Sequence, residues 1–289
     1  MTSNSDQAIL VSGASSGIGK ASAGALLGAG FRVFACVRSD SAAEAVERDL
    51  ASSSNGRLQT LRVDVTRPEQ IRSAVAAVEA AVGERGLWGL FNNAGIAVAG
   101  PIECTPVDEL RRQFEVNVFG QVAVTQAFLP LLRRARGRIL NTGSIAGFGT
   151  VPGLGPYSMS KHAMEALSDA LRRELRPWGI EVSLLEPGSI ATEIWGKSAD
   201  AFDANLKSPP PGLVELYGPL TRTLNQFAAQ SARDASPVSV VTKDVVHAFT
   251  AARPRTRYCK GHGSGVRKVL RRLPDRWVDA VFARTLRWG

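Results

Sequence analysis

Short apolar runs alternate with longer segments of helical period over most of the chain. Ala8–Val11, Arg32–Val37 and residues 58–63, 87–91, 138–141 and 181–185 are brief and rich in Val, Leu, Ile and Phe. They show little apolar–polar alternation, which fits strands buried on both faces. Between them lie helical patterns: a small-residue segment ending at Leu27, then residues 41–50, Pro68–Val82, 107–132 and 157–175. Pro68 suits a first helical turn. Residues 241–251 read as a further helix and 257–259 as a last strand. Strand–helix–strand alternation needs crossover connections, so the pattern predicts an α/β fold. Its sheet is doubly wound and parallel, with helices on both faces in three layers, α/β/α. No repeat of the solenoid kind is present.

The rhythm breaks at residues 191–239. This stretch holds Pro209-Pro210-Pro211 and only short helical hints, at 213–217 and 220–229. A long irregular insertion just after a strand end is where a substrate lid belongs, because open α/β sheets bind ligands there. Residues 1–260 thus read as a single domain with a lid at about 191–239, and 261–289 as a basic amphipathic extension.

Apolar residues make up 44% of the 289 and charged residues 21%, enough for a core. No apolar run approaches the length of a membrane span. The N-terminal residues lack a basic region followed by an apolar one, so no secretory signal is expected. Three scattered cysteines, Cys36, Cys104 and Cys259, argue against a disulfide framework and for a reducing, cytoplasmic setting. The net charge of +9 is uneven: residues 253–289 hold 11 of the 35 basic residues but only two of the 26 acidic ones. The rest of the chain is therefore neutral. In the tail, Val266, Val269, Leu270, Leu273, Trp277, Val278, Val281 and Phe282 recur at helical spacing around Pro274. Three readings stay open: a cover over the substrate pocket, an oligomer contact, and a peripheral contact with an anionic membrane. Basic residues interleave there with Trp277, Phe282 and Trp288, but no nucleic-acid-binding motif accompanies them.

The first strand runs into Ser12-Gly13-Ala14-Ser15-Ser16-Gly17-Ile18-Gly19. Glycines at such a turn let the backbone approach a pyrophosphate, and the following helix offers free N–H groups and a positive dipole end. After the second strand comes Val37-Arg38-Ser39, with no carboxylate to bind ribose hydroxyls. Arg38 can instead pair with a 2′-phosphate, which favours NADP over NAD. Asp40 keeps NAD open. Asp64-Val65 ends the third strand, where a carboxylate can accept from an adenine amino group or simply cap a turn. Tyr157 and Lys161 share one helix face, and Ser144 lies thirteen residues upstream. A free phenol titrates near ~10, too high for easy proton exchange, and a neighbouring ammonium, together with an oxidised nicotinamide, is expected to lower it. Ser144 would orient a substrate oxygen toward Tyr157. Asn117, an amide inside the long helical region, can hold a water linking Lys161 to solvent. Each residue alone has an ordinary structural reading; the combination does not.

Together these motifs resemble those of the short-chain dehydrogenase/reductase family, from about residue 7 to 192. They are the glycine turn, Asp64-Val65, Asn92-Asn93-Ala94-Gly95, Asn117, Ser144, Tyr157-x3-Lys161 and Pro187-Gly188-x3-Thr192. Residues 87–96 are similar to the retinol and hydroxysteroid dehydrogenase branch. The resemblance implies a Rossmann-type fold, a catalytic tetrad of Asn117, Ser144, Tyr157 and Lys161, and contact of Ile190 and Thr192 with the nicotinamide carboxamide. The implied cofactor set comprises Gly13, Ser15, Ser16, Gly17, Ile18, Gly19, Arg38, Asp64, Val65, Asn92, Ala94, Gly95, Tyr157, Lys161, Pro187, Gly188, Ile190 and Thr192. It also implies a homodimer or homotetramer through helices 107–134 and 157–175. Ser12 replaces the usual Thr, keeping the hydroxyl, and Ser16 stands where some NADP-using relatives carry a basic residue.

His162, His247 and His262 are too dispersed for a metal site, so none is expected. Ser144 lacks the G-x-S-x-G surroundings of a hydrolase nucleophile. Ile96, Val98, Phe148, Val151, Leu154, Ile194, Trp195 and Phe202 are expected around the nicotinamide, an apolar lining suited to a steroid-, retinoid- or lipid-like alcohol or ketone. The reading from sequence is an NADP(H)-dependent oxidoreductase. The alternative is a nicotinamide-binding regulatory protein with idle chemistry.

Overall fold

The computed structural model describes residues 6–192, 212–270 and 272–286. Seven parallel strands form one sheet: β1 (Ala8–Val11), β2 (Arg32–Val37), β3 (Leu58–Arg62), β4 (Gly89–Asn92), β5 (Arg138–Thr142), β6 (Glu181–Pro187) and β7 (Arg257–Lys260). Their order is β3-β2-β1-β4-β5-β6-β7. The order reverses between β1 and β4, which opens a crevice at the C-terminal ends of those strands.

Helices α1 (Gly17–Gly28), α2 (Asp40–Ser54) and α8 (Ser239–Thr250) cover one face. Their buried Leu26, Leu27, Val46, Val245 and Phe249 pack with Ile9, Phe91, Leu140 and Leu185. Helices α3 (Pro68–Val82), α4 (Val107–Phe114), α5 (Gly120–Ala135) and α6 (Gly155–Glu174) cover the other. There Val78, Phe128, Leu132 and Leu171 meet Leu10, Phe34, Leu90 and Val182. Successive strand residues thus feed opposite cores, which is why the strands read as unbroken apolar runs. The last strand is fully part of the sheet: Tyr258 is buried, its hydroxyl accepting from Arg255 N at 3.0 Å and lying 2.8 Å from His247 Nδ1.

Two segments differ from the expectation. The long helical region is interrupted by a π turn, Glu115–Phe119, which has Asn117 at its centre. Within 191–239, the two helical hints are one helix, α7 (Leu213–Arg233), which runs through Pro219. Gly218-Pro219 hid it in the sequence. Packing overrides that penalty, because Leu213, Leu220 and Leu224 fall on one buried stripe. The tail forms α9 (Ser264–Leu270) and α10 (Asp275–Leu286). No described helix is long and apolar enough to cross a membrane.

A buried polar chain ties both sides of the site to the sheet. Asn92 Nδ2 donates to Thr125 Oγ1 at 2.8 Å and to Asn141 Oδ1 at 2.9 Å. Asn141 Nδ2 donates to Ser168 Oγ at 2.9 Å, and that hydroxyl donates to Met164 O at 2.7 Å. The chain therefore fastens α5, β4, β5 and α6 together. Asn141→Ala leaves Asn92 and Ser168 short of a buried partner, and each orphaned group costs ~1–3 kcal/mol. Urea unfolding is expected to show a loss of about 2 kcal/mol or more; a loss below about 0.5 kcal/mol would contradict this role.

Candidate active site

The crevice between β1 and β4 is built first from glycines. Gly13 has φ +66°, and a Cβ there would lie 2.7 Å from Ala94 Cα. At Gly19 an added Cβ would lie 2.2 Å from the carbonyl oxygen of Gly13, so this glycine lets α1 pack against its own turn. Gly17 also has positive φ, +52°, and faces Thr192. Ser16 is the N-cap of α1 but makes no side-chain capping bond. The first N–H groups of α1 are thus left to a ligand, and residues 15–18 are accessible. This cradle fits a pyrophosphate.

Beside it, Arg38 is exposed at the end of β2, and Ser39 caps α2 by accepting from Ala42 N at 3.2 Å. Asp40 lies 3.4 Å from Arg62. Asp64 Oδ1 accepts from Thr66 N at 2.9 Å and from its hydroxyl at 2.7 Å, so the turn-capping role is filled. Burial alone would raise this carboxyl, but the Thr66 bonds, with Arg38 and Arg67 nearby, hold it below its ordinary value.

Three residues of the implied cofactor set have buried side chains. Asn92 is 1% exposed and spends its amide on Thr125 and Asn141. Val65 is buried; a Cβ on Gly120 would lie 2.7 Å from its Cγ2. Ile190 is buried, and a Cβ on Gly261 would lie 2.6 Å from its Cδ1. Ala94, Gly95, Gly188 and Thr192 remain accessible, while Pro187 is buried at the strand end. Ile194, Trp195 and Phe202 lie outside the described residues.

Ser144, Tyr157 and Lys161 converge where β5 ends and α6 begins. The Ser144 hydroxyl accepts from Ala146 N at 3.1 Å and lies near enough to the Tyr157 phenol to draw its pKa downward. Lys161 is 5% exposed; its Nζ donates to Thr142 O at 2.8 Å and lies 5.5 Å from the centre of the Tyr157 ring. The expectation of an acidic phenol is not met by the lysine alone. Burial pushes Tyr157 up to about 12, against a smaller downward pull from Ser144. Burial also draws Lys161 down to about 8. Desolvation is the leading cause at both groups, and the ammonium's hydrogen bond goes to the Thr142 carbonyl.

Asn117 holds structure with all of its N–H groups. Its Oδ1 accepts from Ile96 N at 2.8 Å, and its Nδ2 donates to Ile96 O at 3.0 Å and to Ser160 Oγ at 3.1 Å. A side-chain water would have to donate to the remaining Oδ1 lone pair. The amide belongs to a stripe that the sequence reading missed. Gln113 Oε1 accepts from Val98 N at 2.6 Å and its Nε2 donates to Ile96 O at 2.8 Å, and Gln121 Nε2 donates to Ala94 O. Thr125 continues it by receiving Asn92. The signal was present: Gln113, Asn117, Gln121 and Thr125 are spaced by four, and all are buried. Such a spacing drifts about 40° per step in an α-helix. The wider π turn at Asn117 takes up part of that drift, so the stripe keeps facing residues 94–98. Ser12, noted only as a departure from Thr, accepts from Asn93 N at 2.9 Å and Ala94 N at 3.0 Å. His262 O accepts from Ser189 N at 3.0 Å. The same oxygen would lie 2.1 Å from a Cβ at position 188, so glycine is required there.

Above the crevice, Val151 and Leu154 join Ala99, Leu220, Leu224, Tyr217 and Phe282 in a third apolar cluster. A Cβ on Gly153, at φ +77°, would lie 2.3 Å from Leu224 Cδ1, and Tyr217 donates to Glu103 Oε2 at 2.7 Å. Helix α7 therefore roofs the loops that follow β4 and β5. Val98 is instead fully buried. Among the described residues, no group of three or more His, Cys, Asp or Glu side chains is placed to hold a metal ion.

A glycine cradle at the switch point of a parallel sheet, with a Ser–Tyr–Lys group beside it, is the layout of a dinucleotide-dependent oxidoreductase. Residues 7–202 match the short chain dehydrogenase family. The chain is 39% identical over 284 residues to an NADPH-dependent 3-dehydrocapnine reductase of Ornithobacterium rhinotracheale, covering 96% of each sequence. It is 37% identical to retinol dehydrogenase 5 of Mus musculus, over 96% of this chain and 88% of that one. A short-chain dehydrogenase structure from Streptomyces avermitilis superposes with a TM-score of 0.76 at 32% identity, covering 98% of this chain and 97% of that one. The chain belongs to the short-chain dehydrogenase/reductase family, in its retinol/hydroxysteroid dehydrogenase branch, and is an NAD(P)-binding oxidoreductase acting on CH–OH groups.

The buried lysine leaves a signature in stability. Its folded value of about 8 lies below the ordinary 10.5, so the unfolded chain binds the proton more tightly. Stability contributed by this group therefore rises as pH climbs from about 8 to 10.5. In urea titrations the wild type is expected to gain on Lys161→Met across that window by on the order of 2 kcal/mol. A difference constant with pH would contradict a desolvated ammonium.

Proposed function

We propose that this enzyme uses NADP(H) to interconvert a hydrophobic alcohol, steroid-, retinoid- or lipid-like, and its ketone or aldehyde. The observation that carries the reading is buried Ser144 and Lys161 with half-buried Tyr157, together with the apolar cluster of Val151, Leu154, Leu220 and Leu224. The glycine turn and the start of α1 would hold the pyrophosphate, Lys161 the nicotinamide ribose, and Asp64 the adenine amino group. Arg38 would hold the 2′-phosphate. Asp40, the acidic candidate for an NAD ribose, lies against Arg62 instead, which supports the NADP choice. The Ornithobacterium relative, by its name, is NADPH-dependent, and the mouse relative is named a retinol dehydrogenase; both support the cofactor and the apolar substrate class.

When bound, the dinucleotide supplies the hydride-carrying nicotinamide, which in its oxidised form also adds a positive charge beside the phenol. Ser144 donates to the substrate oxygen and sets it against Tyr157. In reduction Tyr157 would give its proton to that oxygen, and in oxidation its phenolate would take the proton back. Lys161, protonated at neutral pH, offsets the negative charge left on the phenol. Helix α7 keeps water from the reacting carbon.

A homodimer or homotetramer through α4–α6 is supported by the exposed Val107, Phe119 and Met159. The thiols Cys36, Cys104 and Cys259, not disulfide-bonded among the described residues, support a cytoplasmic setting.

Tyr157→Phe is expected to lower kcat ~10³-fold, within the usual range for a lost general acid, with cofactor affinity nearly unchanged. Reduced-nicotinamide absorbance with a panel of apolar ketones and alcohols measures the first, and fluorescence titration the second. Near-normal turnover, or activity confined to sugars, would overturn the reading. Arg38→Ala is expected to weaken NADPH binding by about tenfold and leave NADH binding unchanged, as loss of a charged phosphate contact requires. Equal losses for both cofactors would remove Arg38 from that role.

A further inference from the structure

Tyr157 and Lys161 stand on α6, whereas the turn implied for the nicotinamide, Pro187 to Thr192, leaves β6. One side chain meets both elements: Arg257 of β7. Its Nε and Nη2 donate to Glu165 Oε2 at 3.2 and 3.0 Å, and Nη2 also donates to Asp169 Oδ1 at 3.1 Å. Both carboxylates belong to α6, about one and two turns beyond Lys161. Arg257 Nε also lies 3.6 Å from Oε1 of Glu186, the residue of β6 just before Pro187. Strand register sets this meeting. Arg257 stands beside Leu184, and Glu186 follows two residues later on the same face of the sheet.

The cluster is set inside the protein. The side chains of Glu186, Glu165 and Arg257 are 3%, 14% and 29% exposed. Ion pairs on a surface are worth little, but breaking a buried one leaves an uncompensated charge out of water. The neighbouring cations Arg172 and Arg173 go to Asp169, at 2.8 and 3.6 Å. Arg257 is the one that faces all three carboxylates.

Two further contacts carry its influence to the site. Glu165 Oε1 is buried, accepts no hydrogen bond, and would lie 3.2 Å from a Cβ on Gly147. Gly147 closes the turn that starts at Ser144, donating its N–H to Ser144 O at 2.8 Å. Strand β7 then runs on to the cofactor turn: Lys260 O accepts from Gly188 N at 2.7 Å, and His262 O from Ser189 N at 3.0 Å. The side-chain partners of Arg257 all belong to α6 and β6. None lies on the glycine turn, β2 or β3, where the adenosine end would sit.

We propose that Arg257 is a positioning residue for the reaction. By holding Glu165 and Asp169 of α6 and Glu186 of β6 together, it sets the Pro187–Thr192 turn, and with it the nicotinamide, against Tyr157 and Lys161. It acts through these elements and not on the reacting atoms. The proposal rests on the dinucleotide reading of the site and deepens it.

Calorimetric titration compares NADPH with adenosine 2′,5′-bisphosphate, which carries the adenosine end of that cofactor and no nicotinamide. If the wild type prefers NADH, then NADH and AMP serve as the pair. Arg257→Met is expected to weaken binding of the dinucleotide at least ~tenfold and to leave the fragment within about twofold of wild type, because the broken cluster borders only the nicotinamide side. A purely structural role would move both ligands alike, or neither. Arg257→Lys keeps a cation among the carboxylates, and so guards against a failure of Arg257→Met to fold. It cannot fork between Glu165 and Asp169, and is expected to weaken the dinucleotide about threefold while sparing the fragment. Selective loss in either folded variant supports the proposal. Equal losses for dinucleotide and fragment, or unchanged dinucleotide binding in every variant that folds, would overturn it. Wild-type protein that binds neither NADPH nor NADH would instead overturn the dinucleotide reading beneath it.

Discussion

A lysine ammonium held out of water is the constraint on which the rest of the site depends. Lys161 reaches Thr142 O at 2.8 Å from the second turn of α6, and almost nothing else compensates its burial. That fixes the end of β5 against α6, and with it the approach of Ser144 to Tyr157. An isolated buried charge is costly, and proteins retain one where the charge has work to do. The same burial that weakens Lys161 as a base makes Tyr157 a poorer acid. The protein's own residues therefore set up a phenol that is neutral and oriented, and leave its ionisation to respond to charge brought in by a ligand.

Rigidity around that group comes from amides rather than from the catalytic residues. Gln113, Asn117 and Gln121 hold the backbone of residues 94–98, and the Asn92–Asn141–Ser168 chain locks the strands beneath. Asn117 belongs both to this support and to the tetrad implied by family resemblance. On the other side, His262 O fastens the Pro187-Gly188-Ser189 turn. The tail thus begins at the cofactor loop and ends on the lid helix through Phe282. The extension is joined to the site at two points, which supports the first of its three sequence readings, a cover over the substrate pocket.

The sheet, its strand bounds and the glycine turn were legible because parallel strands buried on both faces and helix starts carry local signals. The placing of Tyr157 and Lys161 as neighbours on one helix was legible because they are four residues, about one helix turn, apart. Helix α7 was not, since Gly218-Pro219 breaks a pattern that long-range packing restores. The pKa of Tyr157 was not, because spacing gives the distance to Lys161 but not the direction of its ammonium. The burial of the Asn92, Val65 and Ile190 side chains was not legible, because a motif records which residues recur at a site, and not whether side chain or backbone faces it. The amide stripe was written in the sequence as a four-residue spacing, hidden by a helix surface otherwise rich in charge.

The central claim is that the phenol of Tyr157 answers to charge at the dinucleotide site. The chain has three tyrosines, and burial or a neighbouring carboxylate raises all of them. The direct measurement is an ultraviolet phenolate titration of the protein with and without oxidised dinucleotide. Without it, Tyr157 is expected to titrate at about 12; with it, one phenolate, absent in Tyr157→Phe, is expected to form below about 9, as a nearby positive charge requires. A titration unchanged by the dinucleotide would contradict the account.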